Sequence, residues 1–101
     1  MGNGYFSNDK IIWTNHVVER MIARSIGKKD VESVIQNPIQ IIKDKVKDNY
    51  RCFGKISEKE PKYLIVVYGI RSIGVKIIIT ALTTDKGGVR AHGFNNIWPT
   101  S

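Results

Sequence analysis

At Asn37-Pro38 the hydrophobic pattern of this chain changes period, and it does not change back. Proline disfavours a helical conformation in the residue before it, so whatever helix reaches this point must end here. Upstream, the apolar residues recur three and four apart. Val17, Val18, Met21, Ile22 and Ile26 fall on one face of a helix whose N-cap is Thr14, a residue able to satisfy an orphan amide at the helix start. That helix is expected to stop near Ser25 or Gly27. A second amphipathic helix follows, with Val31, Val34 and Ile35 inward and Lys28, Lys29, Glu32, Ser33 and Gln36 outward.

Downstream of Pro38 the apolar residues are β-branched or aromatic and come in short runs: IQIIKDK, YRCFGKI, KYLIVVYGI and VKIIITALTT. Short polar links join them, which implies antiparallel neighbours. The third run is apolar on both faces at Leu64 to Tyr68, as a central strand would be. In the fourth, alternation places Val75, Ile77, Ile79 and Ala81 on one face, expected to meet the helices, and Lys76, Ile78, Thr80 and Leu82 on the other. The expectation is one α+β domain over residues 1–101, with two N-terminal helices packed on a twisted four-stranded antiparallel sheet. Residues 1–10 read as a flexible polar arm without the apolar stretch of a signal peptide. Residues 85–101 read as a loop-like tail hinged at Gly87-Gly88, with Phe94, Ile97 and Trp98 available for docking.

Composition narrows the partners. Sixteen Lys and Arg against nine Asp and Glu leave a formal net charge of +7. Such a balance favours anionic partners: nucleic acid, an acidic protein or a membrane surface. The single cysteine, Cys52, permits no internal disulfide and no thiolate metal cluster, which suits the reducing cytoplasm. It has no neighbour suggesting nucleophilic catalysis and reads as a small packed residue. Two distant histidines and scattered carboxylates give no metal-ligand spacing. No apolar run is long enough to span a bilayer.

The first helix carries a basic stripe. With His16 at zero, Arg20 lies near about 40° and Arg24 near about 80°, while Val17 and Met21 lie near about 100° and 140°. The stripe therefore drifts toward the buried face, and Arg24 falls where helix meets sheet. A guanidinium there needs an anion or several acceptors. Two readings stand. In one, Arg24 makes a structural ion pair with a carboxylate such as Asp44 or Asp48. In the other, Arg20 and Arg24 hold a phosphate while His16 moves a proton.

The segments WTNHVVERMIARSIGKKDVESVIQNP, YRCFG, YLIVVY and VKIIITAL together resemble a family of small prokaryotic domains of unknown function. The family pattern is Thr/Ser-x-His-x-x-x-Arg-Met-x-x-Arg-Gly-Ile, then a helix ending in Asn-Pro, a strand with Arg and a last strand ending Ile-Thr-x. His16, Arg20, Met21, Arg24, Ile26, Asn37-Pro38, Arg51 and Thr80 match it. Ser25 stands where the pattern has glycine. The resemblance spans Ile12 to Thr83. In element order the family is similar to the RelE/ParE-like toxins, within a wider group of metal-independent ribonucleases related in fold to barnase and the tRNase colicins. That group also contains a gyrase poison.

The resemblance implies a RelE-like fold and a metal-independent endoribonuclease toxin acting on mRNA or tRNA in a toxin–antitoxin or related effector system. It needs no cofactor. His16 would serve as base or acid, Arg20, Arg24 and Arg51 would serve the phosphate, and Thr80 would bond a phosphate oxygen or orient His16. RNA is the expected partner, together with an acidic antitoxin or immunity protein. His92, in the tail, reads as a surface residue or as the missing acid. Tyr50, Tyr63 and Tyr68 read as rim packing or as base-stacking surfaces. Two other classes stay open: a noncatalytic RNA-binding module, and a protein-targeting toxin or interaction domain.

Overall fold

The computed structural model describes residues 10–57 and 62–95. A short strand, β1 (Lys10–Ile12), precedes two helices, α1 (Asn15–Ala23) and α2 (Lys28–Gln36). Four longer strands follow: β2 (Gln40–Asp44), β3 (Asn49–Ser57), β4 (Lys62–Ser72) and β5 (Val75–Thr84). A last helix, α3 (Lys86–Ala91), comes after β5. The architecture is α+β with a five-stranded mixed sheet in the order β1-β5-β4-β3-β2. The four-stranded, all-antiparallel expectation is corrected by β1, which pairs parallel to β5 from Lys10↔Val75 to Ile12↔Ile77. Three residues are too few to show an alternation, so the IIW patch carries no strand signal of its own.

Both N-terminal helices begin and end as their sequence dictates. Thr14 caps α1, its hydroxyl accepting from the Val17 amide at 3.2 Å. At the other end Ser25 turns left-handed, with φ 58°. The Ser25 amide bonds the Ile22 carbonyl, and the Ile26 amide bonds the Met21 carbonyl at 2.8 Å. Ile26 thereby folds back onto Met21 in the core. The family pattern fills this position with glycine, which adopts such a φ without strain. Ser25→Gly should therefore raise stability by about 1 kcal/mol. A urea melt reads this, and an unchanged or lowered midpoint would show that the serine is unstrained.

The core under α1 and α2 gathers Val17, Met21, Ile26, Val31 and Val34 from the helices with Cys52, Leu64, Val66, Tyr68, Ile78 and Ala81 from the sheet. Gly54 lets α2 lie close to β3: a Cβ there would sit 3.1 Å from a Val34 methyl. Ile22, expected inward, is 72% exposed, so the buried stripe of α1 is narrower than expected and centres on Val17 and Met21. The expected face of β5 is also corrected. Val67 pairs with Thr80 and Tyr68 with Ile78, so Ile79 is a bulged extra residue. A bulge of one residue resets the alternation along the strand. Ile78 and Ala81 therefore both face the helices, while Ile79 is 44% exposed.

The opposite face of the sheet has its own cluster. Phe53, Tyr63 and Ile65 pack there with Val89 and Phe94 from the chain after β5. The tail is thus not loop-like throughout, and Gly87-Gly88 is not a hinge but part of α3. Asp85 caps that helix, accepting from the Gly88 amide at 2.9 Å. Gly88 is needed for close approach, since a Cβ there would lie 2.9 Å from Thr84 Cβ. Phe94 docks as its apolar character suggested, with its ring centroid 4.6 Å from that of Phe53. Ile97 and Trp98 lie outside the described residues.

Candidate functional site on the sheet face beneath the last helix

The candidate residues fall on two sides of the sheet. His16 and Arg20 are exposed on α1. Arg24 reaches the sheet, as its place on the stripe implied, but its acceptor is neither a phosphate nor a carboxylate. Its Nη1 donates to the Ala81 carbonyl at 2.8 Å. The pairing of β1 with β5 ends at Ile77, so beyond it the outer side of β5 has no strand partner among the described residues. Arg24 thus closes one backbone acceptor near that edge. Arg24→Ala should cost about 1 kcal/mol in stability, the worth of one such hydrogen bond. Thermal unfolding measures this; a variant as stable as the parent would show that water replaces the guanidinium without loss.

Arg51 and Thr80 lie on the other side. Cys52, Val66 and Ala81 are register partners beneath the helices. Arg51, Val67 and Thr80 are the next residues along, also register partners, so their side chains occupy the opposite face. Ile42 completes the row on β2. The structure therefore brings Arg51 and Thr80 to one surface and sets His16, Arg20 and Arg24 apart from it. The single cleft expected between α1 and the sheet, with Arg51 and Thr80 facing the stripe, does not form. Alternation alone separates Arg51 from Cys52, but the bulge at Ile79 decides the side on which Thr80 emerges.

Arg51 is half-buried and its Nε is enclosed with no hydrogen-bond partner. Its charge is felt by Asp44, whose carboxyl is held below its usual range first by the Lys47 and Val46 amides and further by the Arg51 guanidinium. Gly93, just past α3 with φ +94°, lies against it: a Cβ at Gly93 would sit 3.4 Å from Arg51 Nη2. A shallow, open depression begins at the same glycine, bordered by Arg90, Phe94 and Asn95.

His92 is exposed at the C-cap of α3, one residue from Gly93. Its Nδ1 is 2.8 Å from the Gly88 carbonyl. A carbonyl only accepts, so Nδ1 carries the proton and Nε2 of the neutral ring keeps its lone pair. The helix that delivers His92 to this side has a readable start, an Asp N-cap followed by the apolar pair Val89 and Phe94, but two glycines in its first turn masked it.

The tyrosines take packing roles. Tyr50 and Tyr68 stack at 5.5 Å on the helix side, with Lys43 over one ring and Lys76 over the other, both at 5.8 Å. Tyr63 packs edge-on against Phe53. Cys52 is fully buried, and burial pushes its thiol up to about 12, which keeps it protonated and unreactive. Among the described residues, no three His, Cys, Asp or Glu side chains gather as a metal-binding group. No helix among them is long and apolar enough to cross a membrane.

No curated protein and no solved structure matches the chain. A family profile does: that of a domain of unknown function, DUF4258, over residues 13–83. The match takes in α1 through nearly all of β5, including the stripe, Arg51 and Thr80. The chain belongs to the DUF4258 family.

Proposed function

We propose that the protein acts on RNA as a RelE-like effector, holding the phosphodiester backbone on the sheet face of Arg51 and Thr80 and cleaving it without a metal ion. The observation that carries this reading is Arg51, whose Nε is enclosed and makes no hydrogen bond. Leaving such a group without an acceptor is costly, and a phosphate offers two oxygens matched to its fork. The net charge of +7 adds a field that draws polyanions to the molecule.

In the reaction, the 2′-hydroxyl attacks the adjacent phosphorus and the bond to the 5′-oxygen breaks. The products are a 2′,3′-cyclic phosphate and a 5′-hydroxyl. Arg51 stabilises the charge on the phosphorane oxygens, and the Thr80 hydroxyl donates to one of them. His92 Nε2 takes one of the two proton-transfer roles. The substrate is mRNA or tRNA, and the biological setting is a toxin–antitoxin or related effector pair with an acidic antitoxin or immunity protein. A second reading, a noncatalytic RNA-binding module, is favoured by one observation: His16 lies on the other side of the sheet from Arg51.

The test is purified protein with labelled single-stranded RNA in excess chelator, at several salt concentrations. Fragments ending in 2′,3′-cyclic phosphate are expected, with binding that weakens steeply as salt rises through lost counterion release. Binding without fragments would establish the noncatalytic module. Absence of binding at low salt would overturn both and leave a protein target.

A further inference from the structure

Two turns leave the sheet at the same end. Strands β2 and β4 run in one direction, because each pairs antiparallel with β3. The turn after β2, residues 45–48, and the turn after β4, Ile73-Gly74, therefore project side by side. Neighbouring strands lie about 4.8 Å apart, so the two hairpins are separated by about 10 Å across the sheet. β1 starts here as well, its Lys10 amide donating to the Gly74 carbonyl at 2.7 Å.

Each turn carries one aliphatic side chain that the fold does not use. Ile73 is 100% exposed and Val46 is 93% exposed. Turns favour Gly, Asn, Asp and Ser, and such residues already shape both of these. Gly74 supplies the left-handed position of one, with φ 74°, and Asp48 that of the other, with φ 56°. Asp44 secures the second turn, accepting from the Val46 amide at 2.9 Å and the Lys47 amide at 3.0 Å. An aliphatic residue at either tip thus gains nothing from the fold.

Cations surround both tips. Lys45 and Lys47 flank Val46, with Lys43 behind them, while Arg71 precedes Ile73 and Lys10 lies beside that hairpin; all of these are exposed. Asp48 meets Lys43 only at 3.8 Å, and both side chains are largely exposed. Exposed pairs of this kind contribute little. The end of the sheet is therefore a basic rim with two aliphatic points.

We propose that this end of the sheet docks on an anionic lipid bilayer. Ile73 and Val46 enter the boundary between headgroups and acyl chains, and the surrounding Lys and Arg meet the anionic headgroups. Apolar burial joined to attraction for anionic lipid is how proteins hold to such a surface without spanning it. The profile fits a fluid partner. β4 runs on from Tyr68, which pairs with Tyr50 at the start of β3, to Ser72, so Ile73 leads and Val46 stands back. Lipid closes around such a step, whereas a rigid partner would need two hollows at matching depths. RNA is met by aromatic rings and hydrogen-bond donors, which neither tip supplies. The inference uses no residue assigned to RNA cleavage and does not rest on that reading.

Cosedimentation with vesicles of phosphatidylcholine, alone or mixed with phosphatidylserine, tests it. The protein should bind the mixed vesicles and not the neutral ones. Ile73→Ser, at a fully exposed position, should weaken that binding about tenfold or more, the fold-change for one aliphatic side chain left in water. Its urea midpoint and its affinity for single-stranded RNA should stay those of the parent. Lys45→Glu should weaken vesicle binding about tenfold. Lys62→Glu, the same charge change at the opposite end of β4, should weaken it less than about twofold. Absence of binding to the mixed vesicles at low salt would overturn the proposal. So would equal losses from Lys45→Glu and Lys62→Glu with none from Ile73→Ser, the pattern of a basic protein adsorbing by net charge alone. A matching loss of RNA affinity in Ile73→Ser would overturn it too, by making the tip a nucleic-acid contact.

Discussion

Arg51→Ala lowers the rate of RNA cleavage about 10²–10³-fold, the range for removing one preorganised donor from a developing oxyanion. The same assay gives a loss of about 10²–10⁴-fold for His92→Ala, if its ring carries a proton, and no change for His16→Ala, whose side chain is exposed on the other side of the sheet. Arg51→Lys recovers little, because an ammonium cannot present two parallel donors to one phosphate. The fold should tolerate Arg51→Ala well. The enclosed Nε makes no hydrogen bond for the change to break, and the attraction to the solvent-facing Asp44 is weak, so stability stays within about 1 kcal/mol of the parent. Rates on a fixed RNA with urea midpoints alongside decide the matter. Equal losses from His16→Ala and Arg51→Ala would return the chemistry to the α1 stripe.

Phe53→Ala should cost about 3–5 kcal/mol, the usual penalty for emptying a buried aromatic site. Phe53 is fully buried and touches both Tyr63 and Phe94. It is the strand residue against which the segment after β5 closes. A domain of this size holds only about 5–15 kcal/mol in all. The variant should therefore melt far earlier, and α3 should lose its seat before the rest unfolds. Amide exchange resolves the two events: early loss of protection at Val89 and His92 followed by the sheet supports the order given. A single cooperative loss with a small shift would show that the cavity collapses and α3 stays.

The helices and the four long strands were legible because each obeys one period with clear punctuation. Thr14, Asn37 and Pro38 mark the helix ends, and the β-branched runs match β2 to β5 closely. What failed was parity. Counting alternate residues along VKIIITALTT assumes an unbroken ladder, and the bulge at Ile79 breaks it. That one residue moves Ile78 under the helices and shifts the faces of everything before it. β1 and α3 were missed for a different reason. A three-residue strand has no period, and a short helix opening Lys-Gly-Gly contradicts its own propensity, held instead by the Asp85 cap and by Val89 and Phe94. Within the candidate site, residue types were readable but company was not. Arg24 was correctly placed at the sheet margin, yet its acceptor is a main-chain carbonyl, which leaves no mark in a sequence.

Cys52 has a consequence for how this molecule ages. It is the only thiol in the chain, it is sealed between β-strand neighbours and the two N-terminal helices, and its proton is held tightly. Peroxide and disulfide reagents act on the thiolate, so neither finds a target while the domain is closed. Each opening of the helix layer exposes the sulfur afresh, and an oxidised side chain is too polar to return to a fully buried apolar site shared with Leu64 and Val66. Oxidative damage would then accumulate as a count of past openings, and a molecule once marked would be held open by its own scar.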